Sequence, residues 1–110
     1  MVVVNNFYFL KDAGAAQISA VTKNMTGENL TIQVDGDGSG FSLKLLGCSD
    51  MASESYYDLT GLSTSFETLQ TITTNGIYSF GVEGIAKLKV QLTSITSGSV
   101  TVFGKLTKGV

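Results

Sequence analysis

The sequence predicts an all-β fold, a single antiparallel β-sandwich of about eight strands over residues 1–110, with the jelly roll among the forms open to it. Three observations carry this reading. Apolar residues alternate with polar ones in short runs, the period of a half-buried strand. Ser, Thr and Gly make up 38 of the 110 residues and separate those runs. No window holds the three-and-four spacing of an amphipathic helix, and Ala13–Ala20 is alanine-rich but too short and uncapped to stand as one. Short sequential strands without crossover helices pack as two antiparallel layers.

The elements follow in chain order. Residues 1–10 form an N-terminal arm or edge strand, because Val2–Val4 and Phe7–Leu10 are too apolar to hang in water. A second strand lies near Ile18–Thr22. Leu30, Ile32 and Val34 then alternate with Thr31 and Gln33, and Phe41, Leu43 and Leu45 with Ser42 and Lys44. Pairing Val34 with Phe41, Ile32 with Leu43 and Leu30 with Leu45 makes a hairpin with one apolar face, closed by the glycine-rich loop Asp35–Gly40. After the loop-like segment Gly47–Ser55 comes a strand near Tyr56–Leu59. A second hairpin turns at Asn75-Gly76, a dipeptide suited to a type I′ turn, and pairs Thr73 with Tyr78, Thr71 with Phe80 and Leu69 with Val82. It leaves Ile72 and Ile77 on the wrong face, so either that strand is covered on both sides or the register is off by one. In a third hairpin a loop at Ser97–Ser99 sets Ser94, Leu92 and Val90 opposite Val102, Gly104 and Leu106. Ile95 and Phe103 become diagonal neighbours on the outer face.

Composition excludes more than it assigns. There is no His, Arg, Trp or Pro, and a single Cys. Seven Lys against nine Asp and Glu give a net charge of −2, the wrong sign for holding phosphates, and without Arg there is no bidentate fork for guanine. Nucleic acid is therefore not an expected partner, nor is a membrane, since no apolar stretch is long enough to span one. The N-terminus lacks a basic region and a cleavage site, so synthesis in the cytoplasm is expected. Cys48 has no His to activate it and reads as a small buried filler. Without a Ser-His pair, a nucleotide loop or a metal cluster, the expectation is no enzyme, no catalytic residue and no cofactor.

Two motifs bear on binding. Asp35, Asp37 and Ser39 place oxygen donors at the first, third and fifth positions of an EF-hand loop, with Gly40 at the sixth. The pattern then fails, because position twelve is Leu46, so these residues are only weak metal candidates and the loop reads as a hairpin connection. Tyr56-Tyr57 offers aromatic faces for sugar stacking, but adjacent strand residues point to opposite sides, so one of the two belongs to the core. Asn24-Met-Thr26 and Asn29-Leu-Thr31 fit the glycosylation sequon.

From Thr71 to Leu106 the chain carries Asn75-Gly76, Tyr78, Val82, Gly84-Ile85, the alternating run Leu88–Leu92, then Gly98–Val102 and Gly104. This pattern resembles β-sandwich structural modules of tailed-bacteriophage virion proteins: capsid decoration, head-fibre and tail-associated proteins. The resemblance implies a non-enzymatic virion structural protein, made in the bacterial host cytoplasm and carried on the particle. Its partners would be its own copies, as a trimer, and other virion proteins. Ile95, Phe103, Val3, Phe7 and Phe9 are the candidate interface residues, as apolar side chains expected outside the core. The alternative from the residues is a carbohydrate or host-surface binding module, which the absence of Trp and Arg disfavours.

Overall fold

Alternating residues build strands, and the strands stack as two layers. The computed structural model describes residues 1–109; Val110, the end of the expected domain, lies outside them. Among the described residues there are twelve strands and no helix: β1 (Val2–Ala13), β2 (Gln17–Ile18), β3 (Thr22–Lys23), β4 (Asn29–Asp35), β5 (Ser42–Cys48), β6 (Tyr57–Asp58), β7 (Gly61–Ser63), β8 (Thr68–Leu69), β9 (Thr71–Ile72), β10 (Gly76–Gly81), β11 (Lys87–Ser94) and β12 (Val100–Lys108). Sheet A has the order β1-β12-β4-β10-β7-β8. Sheet B has the order β2-β11-β5-β6, with β3 also on β11 and β9 also on β5. The fold is thus the expected antiparallel β-sandwich. Twelve strands appear instead of about eight because several are fragments of two or three residues lying along one longer neighbour.

One face of each sheet is apolar and the two faces meet. Sheet A contributes Leu30, Ile32 and Val34 from β4, Tyr78 and Phe80 from β10, and Val100, Val102 and Leu106 from β12. Sheet B answers with Leu43 and Leu45 from β5, Ile72 from β9, and Leu88, Val90 and Leu92 from β11. Each such side chain, taken wholly out of water, contributes about 1.5–3 kcal/mol before chain entropy is counted.

All three expected hairpins are corrected. β4 and β5 lie in different sheets, as do β9 and β10, and β11 and β12. Val34 sits beside Gly76 and Val102, not Phe41; Leu43 sits beside Leu92 and Ile72, not Ile32; Gly104 sits beside Ile32 and Phe7, not Leu92. Residues expected side by side on one sheet instead face one another across the core. The Asn75-Gly76 step is a crossing between sheets, and Asn75 lacks the positive φ of a type I′ turn. This explains the misplaced isoleucines: Ile72 is buried from sheet B, while Ile77 is 46% exposed on the outer side of sheet A.

Two of the crossing loops grip each other at one end of the sandwich. Gly38 N–H donates to Ser99 O at 2.8 Å, Ser39 N–H to Ser97 O at 3.0 Å and Thr96 N–H to Ser39 O at 3.0 Å. Gly98 is required there: its φ is +72°, and a Cβ would lie 2.5 Å from the Asp37 carbonyl. At another loop junction the buried Asn24 ties two turns together. Its Nδ2 donates to the carbonyls of Gly27 (3.1 Å), Val82 (3.1 Å) and Ile85 (2.9 Å), and its Oδ1 accepts the Gly27 N–H at 2.8 Å.

Two substitutions test this packing. Leu92→Asp places a carboxylate among apolar side chains and should cost about 4 kcal/mol or more, a large share of a domain's total stability. The expected result is loss of the cooperative urea transition and of amide chemical-shift dispersion. Asn24→Ala leaves several buried backbone groups without partners and should lower unfolding free energy by about 2–3 kcal/mol with the fold retained.

Candidate functional site

Burying one face of each sheet leaves two outer faces, and their chemistry differs. On sheet B, β5 and β11 turn Lys44, Lys87 and Lys89 outward, with Lys23 of β3 directly beside Lys87. These lysines are largely engaged. Lys44 Nζ lies 3.2 Å from the Asp58 carboxylate, and Lys89 Nζ sits 3.8 Å above the Tyr56 ring. Lys87 is buried: its ammonium donates to the Ser53 carbonyl and lies 3.8 Å from Glu54. The segment after β5 thus folds back over this face. It buries Cys48, whose thiol donates to Asp50 O at 3.2 Å, as a small filler.

Sheet A presents the opposite surface. The pairing of β1, β12, β4 and β10 lines up Tyr8, Phe103, Gln33 and Ile77 in one row across four strands. The adjacent row is Asn6, Lys105, Thr31, Ser79 and Leu62. Tyr8 is 55% exposed and packs edge-on against the half-buried Phe103, ring centroids 5.3 Å apart, with Lys11 Nζ 5.3 Å over the Tyr8 ring. Ile77, Leu62 and Val2–Val4 are also exposed on this side of the molecule or along β1. Lys105 is the one charge in the two rows, so the face sets aromatic and aliphatic side chains among amides and hydroxyls.

The expected interface residues distribute unevenly over this geometry. Phe103 lies in the centre of the outer face, as read from the sequence. Ile95 does not join it. That neighbourhood required β11 to pair with β12, whereas Ile95 sits where the chain crosses between sheets and packs against the core. Residues 1–10 are part of a full edge strand, not a free arm, since β1 pairs along β12. Val3 stays exposed, but Phe9 is buried and Phe7 half-buried, their rings 4.8 Å apart. Gly104 makes room for both: a Cβ there would lie 2.9 Å from Phe9 and 3.0 Å from Phe7. An irregularity between Tyr8 and Leu10 lets Phe9 and Leu10 both point inward, which strict alternation forbids. Tyr8, Ile77 and Leu62 were missed in the sequence because their proximity depends on strand order.

The acidic loop is a fastening. Asp37 Oδ1 accepts the Ser99 N–H at 3.0 Å, Ser39 Oγ and Ser97 Oγ share a hydrogen bond of 2.7 Å, and Asp35 Oδ2 accepts from Gln33 Nε2 at 2.7 Å. The oxygens thus have separate protein partners instead of converging. No cluster of three or more His, Cys, Asp or Glu side chains suited to a metal occurs among the described residues. Tyr56 is tucked beneath Lys89 while Tyr57 is 72% exposed, so the pair makes no common stacking platform.

Residues 4–106 match the model of the XepA family, and the chain belongs to that family. Its fold is similar to that of the SPBc2 prophage-derived protein YomS, with a TM-score of 0.83, 21% identity, and 93% of this chain and 90% of that one covered. It is also similar to the PBSX exported protein XepA, with a TM-score of 0.86 and 20% identity; 93% of this chain is covered, but it spans 37% of that longer one. No curated protein matches the sequence. The resemblance to phage-derived β-sandwich proteins, read from Thr71–Leu106, therefore extends over most of the chain.

Asp37→Ala should lower stability by about 1 kcal/mol through the lost Ser99 contact. Because an ion that binds only the folded state raises its stability, the melting temperature of the parent protein should be the same in calcium and in chelator. A shift of several degrees would restore the metal site.

Proposed function

We propose that the chain is a non-enzymatic structural protein of a bacteriophage particle, of capsid-decoration or head-fibre type, which self-associates and binds neighbouring virion proteins through the outer face of sheet A. The observation that carries this is the row Tyr8, Phe103, Gln33 and Ile77, in which three exposed or half-buried apolar side chains, with Gln33 between the last two, are brought together by four strands and bordered by the exposed valines of β1. Such contiguous surface on a small protein favours cover by another chain. The strand order supports the reading: β1-β12-β4-β10 facing β2-β11-β5-β6, with the main connections changing sheets, is read as a jelly roll, an architecture used in viral capsids. Repeated copies need only modest interfaces, because multivalent attachment raises effective concentration. We take the trimer as the assembly to test, and the virion as the location.

A second reading comes from the PBSX neighbour, which is described as exported: the protein would leave the cell without riding on the particle. Fractionation of an induced culture separates the two, the virion reading requiring the protein in density-purified particles.

In light scattering the purified chain should give three times its 11.6 kDa mass. Phe103→Asp and Tyr8→Asp should each shift it to monomer and reduce particle attachment at least tenfold, with the melting transition kept, because both side chains lie outside the core. A monomer at every concentration, or attachment unaffected by both substitutions, would overturn the assignment of this face.

A further inference from the structure

The crossing from β9 to β10 runs through Asn75-Gly76, the one place in the chain where glycine follows asparagine. Gly76 opens β10 with φ +157°, a conformation that side chains rarely adopt, so the fold calls for glycine there. Glycine leaves the backbone nitrogen after Asn75 without the shielding that a larger side chain gives. Asn75 itself is exposed. The one side-chain hydrogen bond it makes among the described residues runs from Nδ2 to Gly36 O, is 2.9 Å long and lies open to water. This bond ties the β9–β10 crossing to the β4–β5 loop, next in sequence to the fastening of Asp37 on Ser99.

The other asparagines lack this combination. Asn5, Asn6, Asn24 and Asn29 are followed by Asn6, Phe7, Met25 and Leu30, all of which shield the next nitrogen. Asn24 is also buried, with its amide held by Gly27, Val82 and Ile85. Asp37-Gly38, whose carboxyl and following nitrogen could close the same ring, is tied at both atoms. Asp37 Oδ1 accepts the Ser99 N–H, and Gly38 N–H donates to Ser99 O at 2.8 Å.

We propose that Asn75 is a site of spontaneous deamidation, a modification that releases the β9–β10 crossing from the β4–β5 loop as the protein ages. The exposed bond to Gly36 opens locally, and the deprotonated Gly76 nitrogen attacks Asn75 Cγ. The N–Cγ bond forms, the Cγ–Nδ2 bond breaks, and Nδ2 takes up a proton and leaves as ammonia, giving a succinimide. Water then opens the ring. Hydrolysis at Cγ gives aspartate; hydrolysis at the main-chain carbonyl gives isoaspartate, which carries the chain through Cβ and Cγ and lengthens it by one methylene. Either product is a carboxylate at neutral pH. A carboxylate accepts hydrogen bonds and cannot donate them, so the bond to Gly36 O is lost and the two groups repel. The lengthened main chain also disturbs the pairing of Gly76 with Val34. The chemistry needs no partner chain and stands apart from the assembly role.

The test is to hold the purified full chain at neutral and at mildly alkaline pH and to follow it by peptide mass mapping. Isoaspartate is counted by its uptake of a methyl group from a protein isoaspartyl methyltransferase. Asn75 should gain the mass of an amide-to-acid change, with isoaspartate as the larger product. The rate should rise several-fold at the higher pH, because the attacking nitrogen must be deprotonated. Asn75 should react at least tenfold faster than any of the other asparagines, and Asn75→Gln, which can close only a six-membered ring, should stay intact. Asn75→Asp should lower Tm and shift the amide resonances of Asp35–Gly40, and the aged protein should develop shifts in the same loop. No conversion at Asn75, or conversion matched at the other asparagines, would overturn the site. Conversion that leaves the Asp35–Gly40 resonances unmoved would overturn the release of the loop.

Discussion

Everything in this molecule depends on two apolar faces finding each other. Neither sheet could hold its inner side in water, and β4, β10, β12, β5 and β11 each offer a row of aliphatic or aromatic side chains on one side only. The main connections meet this constraint by carrying the chain from one sheet to the other, so the next strand in sequence supplies the facing layer. Loops at the ends must then close a gap of about 10 Å between layers instead of reversing within one plane. The grip between Asp37–Ser39 and Thr96–Ser99 and the bridging by Asn24 are what that geometry demands. Of the buried polar side chains, Ser19 and Asn24 belong to the loops, while Lys87 and Thr107 sit in strands outside the apolar core.

This geometry explains what could be read from the sequence and what could not. Alternation identified the inner residues well: Leu30, Ile32, Val34, Leu43, Leu45, Leu88, Val90 and Leu92 are all buried. It could not choose between two strands lying side by side and two lying face to face, because both arrangements bring the same side chains together. Asn75-Gly76 and Ser97–Ser99 signalled a reversal correctly and the hairpin incorrectly for that reason. The outer face of sheet A suffered most. Phe103 was legible from its own strand, but its neighbours Tyr8, Gln33 and Ile77 come from strands distant in sequence, and only the order β1-β12-β4-β10 makes them adjacent. Asn24 showed only as part of a sequon, since nothing local reveals that three carbonyls converge on its amide.

The division of chemistry between the outer faces follows from how each is covered. Sheet B keeps its lysines beneath or beside a loop that returns over the sheet, where Tyr56, Asp58 and the Ser53 carbonyl take up their charge. A surface ion pair such as Lys44–Asp58 adds little stability, so this arrangement mainly settles a polar surface against water. Sheet A has no such cover over Tyr8, Phe103 and Ile77. The same chain therefore satisfies one outer face internally and leaves the other open, the asymmetry that the proposed assembly role would use.

The long edge strand narrows how a neighbour would dock under the proposed assembly. A free edge of twelve residues, β1, would ordinarily invite another strand to add to the sheet, and its first nine residues carry no charged side chain to oppose this. Its register against β12 is broken between Val3 and Asn5, between Tyr8 and Leu10, and between Leu10 and Ala13. Each irregularity twists the strand and interrupts the ladder of outward amides and carbonyls, so the central regular pairing runs only from Asn5 to Tyr8. Four residues give a poor template for strand addition, while the same irregularities turn Phe9 and Leu10 inward together and keep Tyr8 on the surface beside Phe103. The strand has given up its backbone edge in exchange for a side-chain surface, and under the proposed assembly a partner covering sheet A would be recognised by those rings and not by hydrogen bonding to β1.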